Sequence, residues 1–220
     1  MTVGLLFDND GVLIDSSELH WYSWELLMRE DPSFVMEHEQ FVRGFGKRND
    51  LILQDVQLKA SQEQKEKWAV RKEELFREYA KERITLIPGI EAFLQEVARA
   101  KIPRIIASST PIANLKMFLK CTPLGQYFDR FVSAEQVAHG KPFPDVFLEA
   151  ARVLNMPPER CIVFEDAPAG VTAGKKAGSF VVALGTTHAG QELTEADLFY
   201  PSPHALRLPE ILNAHQQWLS

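Results

Sequence analysis

Among its 220 residues the chain has only two cysteines, Cys121 and Cys161, which excludes a disulfide framework. Both sit in apolar settings, FLKCTPL and RCIVF, so both read as reduced core thiols. No apolar run approaches the ~20 residues that a membrane helix needs. The first residues show no basic region leading into an apolar one, and the expectation is a soluble, cytoplasmic protein with no membrane partner. Positive charge is outnumbered by negative. The formal net charge is −6 and no basic stripe appears, which argues against a nucleic-acid partner. There is no internal repeat and no low-complexity stretch. What remains is an ordinary composition, 45% hydrophobic and 25% charged, in a length that suits one full domain or one domain carrying a smaller insert. A monomer is the default expectation.

Short apolar runs recur at 3–7, 104–108, 130–134, 161–164 and 180–184. Each reads as a strand buried on both faces. Amphipathic helical patterns lie between most of them, as in Ile90, Phe93, Leu94 and Val97. Strands alternating with helices predict an α/β fold with a parallel sheet covered on both sides. Residues 17–84 break this rhythm and read as four helices, at 17–30, 36–45, 48–59 and 62–84. The predicted division is an α/β core of residues 1–15 and 86–220, with a helical insert at 16–85 after the first strand. Such an insert sits above the carboxyl ends of the strands, where open α/β sheets bind ligands.

The polar signals collect at that edge. Residues 7–11 read FDNDG, which puts Asp8 and Asp10 on one side of a strand end with Asn9 between them. Paired carboxylates there suit a divalent cation, or a nucleophile beside a general acid. A calcium loop does not fit, because Gly11 falls at loop position four and Leu19 stands where the closing glutamate belongs. A plain Asp-Gly turn is the bland alternative. Three further signals weigh against it. The second strand ends in Ser108, Ser109 and Thr110 ahead of a helix, a ready anion site. Lys141 stands in GKPFPD before another helix. The strand CIVF ends in Glu165 and Asp166.

In this order, FDNDGVLID, ASST, GKPFPD and FEDAPAGVTAGKKAG resemble the haloacid dehalogenase superfamily, in the branch with a helical cap inserted after the first strand. The likeness is greatest to its β-phosphoglucomutase-like phosphatases, and the motifs span residues 4 to about 185. The resemblance implies a Rossmann-like parallel-sheet core with a cap. It implies Asp8 as nucleophile forming an aspartyl-phosphate, and Asp10 as acid and base. Ser108 would hold the phosphoryl group, helped by Ser109 and Thr110. Lys141 would offset phosphoryl charge. Asp8, the Asp10 carbonyl, Asp166 and Glu165 would form a Mg²⁺ site.

Two helical stripes in the insert each carry one polar residue among apolar ones. His20 lies with Trp24, Leu27 and Met28, and Lys72 with Trp68, Leu75 and Phe76. Taken alone these read as a core histidine and a snorkelling lysine. With Arg48, they also match substrate-facing positions of the resembled cap. The implied activity is Mg²⁺-dependent hydrolysis of a small phosphorylated metabolite, a sugar phosphate by preference. A sugar-phosphate mutase and a catalytically inactive binding module on the same fold stay open as alternatives.

Overall fold

The computed structural model describes residues 3–57 and 59–220. The chain starts with β1 (Gly4–Phe7) and a short strand β2 (Ile14–Asp15). Four helices follow: α1 (Ser17–Glu30), α2 (His38–Gly44), α3 (Asn49–Val56) and α4 (Gln62–Ala80). The strand β3 (Thr85–Leu86) and α5 (Ile90–Arg99) lead into β4 (Arg104–Ala107), α6 (Ile112–Cys121) and β5 (Phe131–Val132). Then come α7 (Asp145–Val153), β6 (Cys161–Glu165), α8 (Pro168–Lys176), β7 (Phe180–Leu184), β8 (Leu198–Tyr200) and α9 (Leu208–Trp218).

Six strands pair in parallel in the order β5-β4-β1-β6-β7-β8. The alternation of side chains along each strand divides the core into two layers. Leu5, Phe7, Ile106, Ile162, Phe164 and Val182 face α5, α6 and α9. Leu6, Ile105, Val163 and Val181 face α7 and α8. Both faces are covered, so β1, β6 and β7 are apolar at nearly every position, as a buried parallel sheet requires. Phe7 and Phe164 stack 4.5 Å apart directly beneath the strand ends that carry Asp8 and Glu165.

The helices α1–α4 close around a core of their own, with Trp24, Phe34, Phe41, Leu53, Trp68 and Leu75 at its centre. The chain passes from sheet to helices through β2 and returns through β3. These two strands pair antiparallel, Ile14 against Leu86 and Asp15 against Thr85.

The structure corrects several expectations. Cys161 is buried, but Cys121 is exposed as the last residue of α6. The expected helix at 62–84 stops at Ala80, where the chain turns into β3. The one expected at 36–45 is confined to His38–Gly44, where the Glu37 N–H donates to Gln40 Oε1 (2.9 Å) at its start. The one expected at 48–59 spans Asn49–Val56, and position 58 lies outside the described residues. Beyond residue 190, β8 extends the sheet and α9 packs on the β1 face. Among the described residues no helix is long and apolar enough to cross a membrane.

Candidate active site

The strand β1 lies at the centre of the sheet, and its carboxyl end delivers Asp8 into a buried pocket. The Asp8 backbone N–H still donates to the Phe164 carbonyl (3.0 Å), so the residue is held by the ladder. After Asn9 and Asp10 the chain turns away at Gly11, which takes φ +77°. A Cβ at Gly11 would overlap the Asp166 carboxylate, so the glycine serves both the turn and the close approach. Asn9 does not line the pocket that Asp8 and Asp10 line. It is fully buried, and its side-chain amide has no hydrogen-bond partner among the described residues.

Lys141 is buried between two carboxylates. Its Nζ lies 2.8 Å from Asp8 Oδ1 and 2.5 Å from Glu165 Oε1. Burial would lower the ammonium pKa, but Asp8 and Glu165 outweigh burial and hold it above its ordinary value. Glu165 Oε2 accepts the N–H groups of Asp166 (2.9 Å) and Ala167 (3.2 Å), at the start of α8. Both Glu165 oxygens are therefore engaged. A methyl group at Gly170, one turn into α8, would overlap this carboxylate. Gly170→Ala is therefore expected to cost about 1–3 kcal/mol of stability and to lower activity by displacing Glu165 from Lys141. Urea unfolding and initial rates check this; an unchanged midpoint and rate would show that the close approach is dispensable.

Asp8, Glu165 and Asp166 present carboxylate oxygens within 4.8 Å of one another. Burial, followed by the neighbouring acids, raises the Asp166 carboxyl well above its usual range. For Asp8 burial outweighs the attraction of Lys141 and pushes the carboxyl up to about 7. Asp166 Oδ1 has no partner among the described residues, and Asp8 Oδ1 is met by the Lys141 ammonium at 2.8 Å. Buried hard oxygens that repel each other, with one cation among three carboxylates, fit a small divalent cation.

Asp10 has the opposite surroundings. Ser16 Oγ (2.5 Å) and His20 Nε2 (3.2 Å) reach its Oδ1, and Thr110 Oγ1 donates to its Oδ2. Burial would raise this carboxyl, but the bonds from His20, Ser16 and Thr110 hold it well below the usual range. Ser16 occupies the N-cap position of α1, yet its hydroxyl serves Asp10 and makes no side-chain cap. Ser108 Oγ donates to Thr110 Oγ1 (3.0 Å) and accepts the Thr110 N–H (3.2 Å), so Ser108 and Thr110 act as one unit behind Asp10.

Above these residues lies a cavity of about 500 Å³. Asp8, Asp10 and Ser108 form its floor, and His20, Arg48 and Lys72 reach it from the helices. Ser109 lines it too. The structure thus brings the predicted residues to one place, with Glu165 and Lys141 just beneath. Lys72 is buried and does not snorkel; its Nζ lies 2.7 Å from His20 Nδ1 and 2.8 Å from Glu73 Oε1. An ammonium only donates, so Nδ1 accepts and the ring proton sits on Nε2, facing Asp10. Arg48 precedes α3 and its Nε reaches Asp50 Oδ1 (3.1 Å).

Sequence reasoning missed Thr186, Thr187 and His188. Thr187 Oγ1 donates to Asp166 Oδ2, Thr186 Oγ1 donates to the Gly11 carbonyl, and His188 Nδ1 lies 3.1 Å from the Asp166 carbonyl. Their signal was position: they follow β7 at the same sheet edge as the other polar residues.

The chain is similar to several known proteins. The chain is 34% identical to hexitol phosphatase A of Escherichia coli, over 89% of this chain and 88% of that protein. It is 31% identical to β-phosphoglucomutase of Bacillus subtilis, over 97% of this chain and 94% of that one. A solved β-phosphoglucomutase from Clostridium difficile superposes with a TM-score of 0.87 at 25% identity, covering 100% of this chain and 99% of that chain. The profile of the haloacid dehalogenase-like hydrolases matches residues 5–184, from the strand that presents Asp8 to the last residue of β7, and the chain belongs to that family.

Proposed function

We propose that the protein is a Mg²⁺-dependent phosphatase acting on a small phosphorylated polyol or sugar, with α1–α4 as a cap over the reacting group. The observation that carries this reading is the opposite state of two carboxylates two residues apart. Among the described residues the Asp8 carboxylate is met by the Lys141 ammonium (2.8 Å) and by no hydroxyl or imidazole, while three donors hold Asp10 in place. The first suits attack and the second suits proton transfer. The named phosphatase among the relatives supports the substrate class.

In the proposed reaction an Asp8 oxygen attacks phosphorus, and the bond from phosphorus to the substrate oxygen breaks. Asp10 gives that oxygen its proton, and the alcohol leaves. Water then attacks the aspartyl-phosphate and passes a proton to Asp10. Inorganic phosphate departs and the Asp8 carboxylate is restored. The donors around Asp10 favour its ionised form, which suits the second half; the bound phosphate dianion opposes them in the first. Lys141 neutralises charge on the transferring group, and Glu165 keeps Lys141 aimed. Ser108 and the backbone at Ser109 and Thr110 cradle the phosphoryl oxygens. Asp8, Asp166 and the Asp10 carbonyl would hold Mg²⁺, which when bound offsets the repulsion between an acid cluster and a phosphate. His20, Arg48 and Lys72 face the rest of the substrate from the cap.

A screen of hexitol and sugar phosphates, scored for free phosphate and for isomer, tests this. Phosphate release with no isomer is the expected result. Isomer formation from an added monophosphate and its bisphosphate would instead support the mutase reading, which the likeness to β-phosphoglucomutase favours. Absence of turnover on every compound and on p-nitrophenyl phosphate would leave only the binding module.

A further inference from the structure

The reaction above uses Asp10 and gives no part to one further buried carboxylate, Glu73. This glutamate sits on α4 beside Lys72 and lines the cavity. Its Oε1 accepts from Lys72 Nζ (2.8 Å) and from Asn49 Nδ2 of α3 (2.6 Å). Its Oε2 accepts from Asn114 Nδ2 (2.5 Å), in the first turn of α6. Burial alone would raise the carboxyl, but the Lys72 ammonium and these bonds hold it below its usual value.

Asn114 belongs to the core and is fully buried. Its Oδ1 accepts from Arg77 NH1 (2.9 Å), one turn beyond Glu73 on α4. Residues four apart share a helix face, so α4 offers an acceptor and a donor to the two ends of one amide. The match is complete only while the cap is docked on α6. Undocking separates both bonds at once.

From Glu73 an unbroken line of contacts runs to the acid and base. Glu73 fixes Lys72, Lys72 donates to His20 Nδ1, and His20 Nε2 faces Asp10. Lys72 is buried with its Nζ 5.2 Å from the Trp24 ring centre and 5.4 Å from that of Phe76. An ammonium in such surroundings needs a counter-charge, and Glu73 is the carboxylate in contact with it. We propose that Glu73 is a positioning residue that makes the orientation of Asp10 depend on cap docking, through Lys72 and His20 on one side and Asn114 on the other. This rests on the reading of Asp10 as acid and base.

The test uses leaving groups. An alkoxide needs a proton to depart, whereas p-nitrophenolate leaves without one. The ratio kcat/KM reports only steps up to the first cleavage, so the later attack of water does not enter. Glu73→Gln, Asn114→Leu and Asp10→Asn are each assayed with a small alkyl phosphate, such as glycerol 2-phosphate, and with p-nitrophenyl phosphate. Glu73→Gln should lower kcat/KM on the alkyl ester roughly tenfold or more, and on the aryl ester less than about threefold. Asn114→Leu, which breaks the link from the core side with the same number of side-chain heavy atoms, should show the same skew, and it carries the test should Glu73→Gln fail to fold. Thermal melts report the fold of each variant. Equal losses on both esters, or no loss, would make Glu73 a residue of cap stability alone. If Asp10→Asn shows the skew and the other two do not, only the role of Glu73 falls. If Asp10→Asn lacks the skew, the reading of Asp10 falls and takes this proposal with it.

Discussion

Asp8→Asn is expected to abolish turnover, with a loss of at least roughly 1,000-fold in kcat on every phosphate ester. Asparagine keeps the shape of the side chain and removes the attacking oxygen's charge. The fold should survive, for an electrostatic reason. Asp8 shares a buried cluster with Glu165 and Asp166, and Lys141 is the cation among them. Removing one negative charge there relieves repulsion that burial leaves unscreened. In metal-free buffer the melting temperature of the variant should therefore equal or exceed that of the wild type. Dead enzyme with an undiminished Tm is the signature of a lost nucleophile. More than a few per cent of wild-type turnover would remove Asp8 from that role.

Chelation should be the second large effect. With EDTA the rate is expected to fall on the order of 100-fold or more, and added Mg²⁺ should restore it. The site also predicts a change that needs no turnover. A cation that binds only the folded state raises Tm with concentration. Mg²⁺ should therefore raise Tm in the wild type and much less in Asp166→Asn, because Asp166 Oδ1 is the buried oxygen without a partner. Full activity in metal-free buffer, or equal Tm responses in both proteins, would count decisively against a metal at this cluster.

Legibility in the sequence followed how local each signal was. The strands β1, β6 and β7 are buried on both faces, so they appear as unbroken apolar runs. The strands β2 and β3 have two residues each, too few for any period to show. At the sheet edge, β8 is only partly buried, and its LFY carries no distinguishing pattern. The site divides in the same way. Asp8, Asp10, Lys141, Glu165 and Asp166 stand at strand ends or before helices, where short motifs reveal them. Glu73 lies in KEELFREY on a strongly polar helix, and only tertiary packing separates it from Glu74 beside it. Asn114, Ser16 and Thr187 were hidden for the same reason, since each gains its role from a residue distant in sequence or from the turn of β1.

The paired strands β2 and β3 also bear on how such a molecule is put together. A segment from about 16 to 84 leaves the sheet and returns to it at neighbouring points, Asp15 facing Thr85. Excision there would leave two ends one antiparallel pair apart, a gap that a two-residue hairpin turn spans. The helices bury an apolar centre of their own. Sheet and helices are thus joined like a cassette in a socket: exchange at one ribbon would replace His20, Lys72 and Glu73 together, while Asp8, Glu165 and Asp166 stay with the sheet.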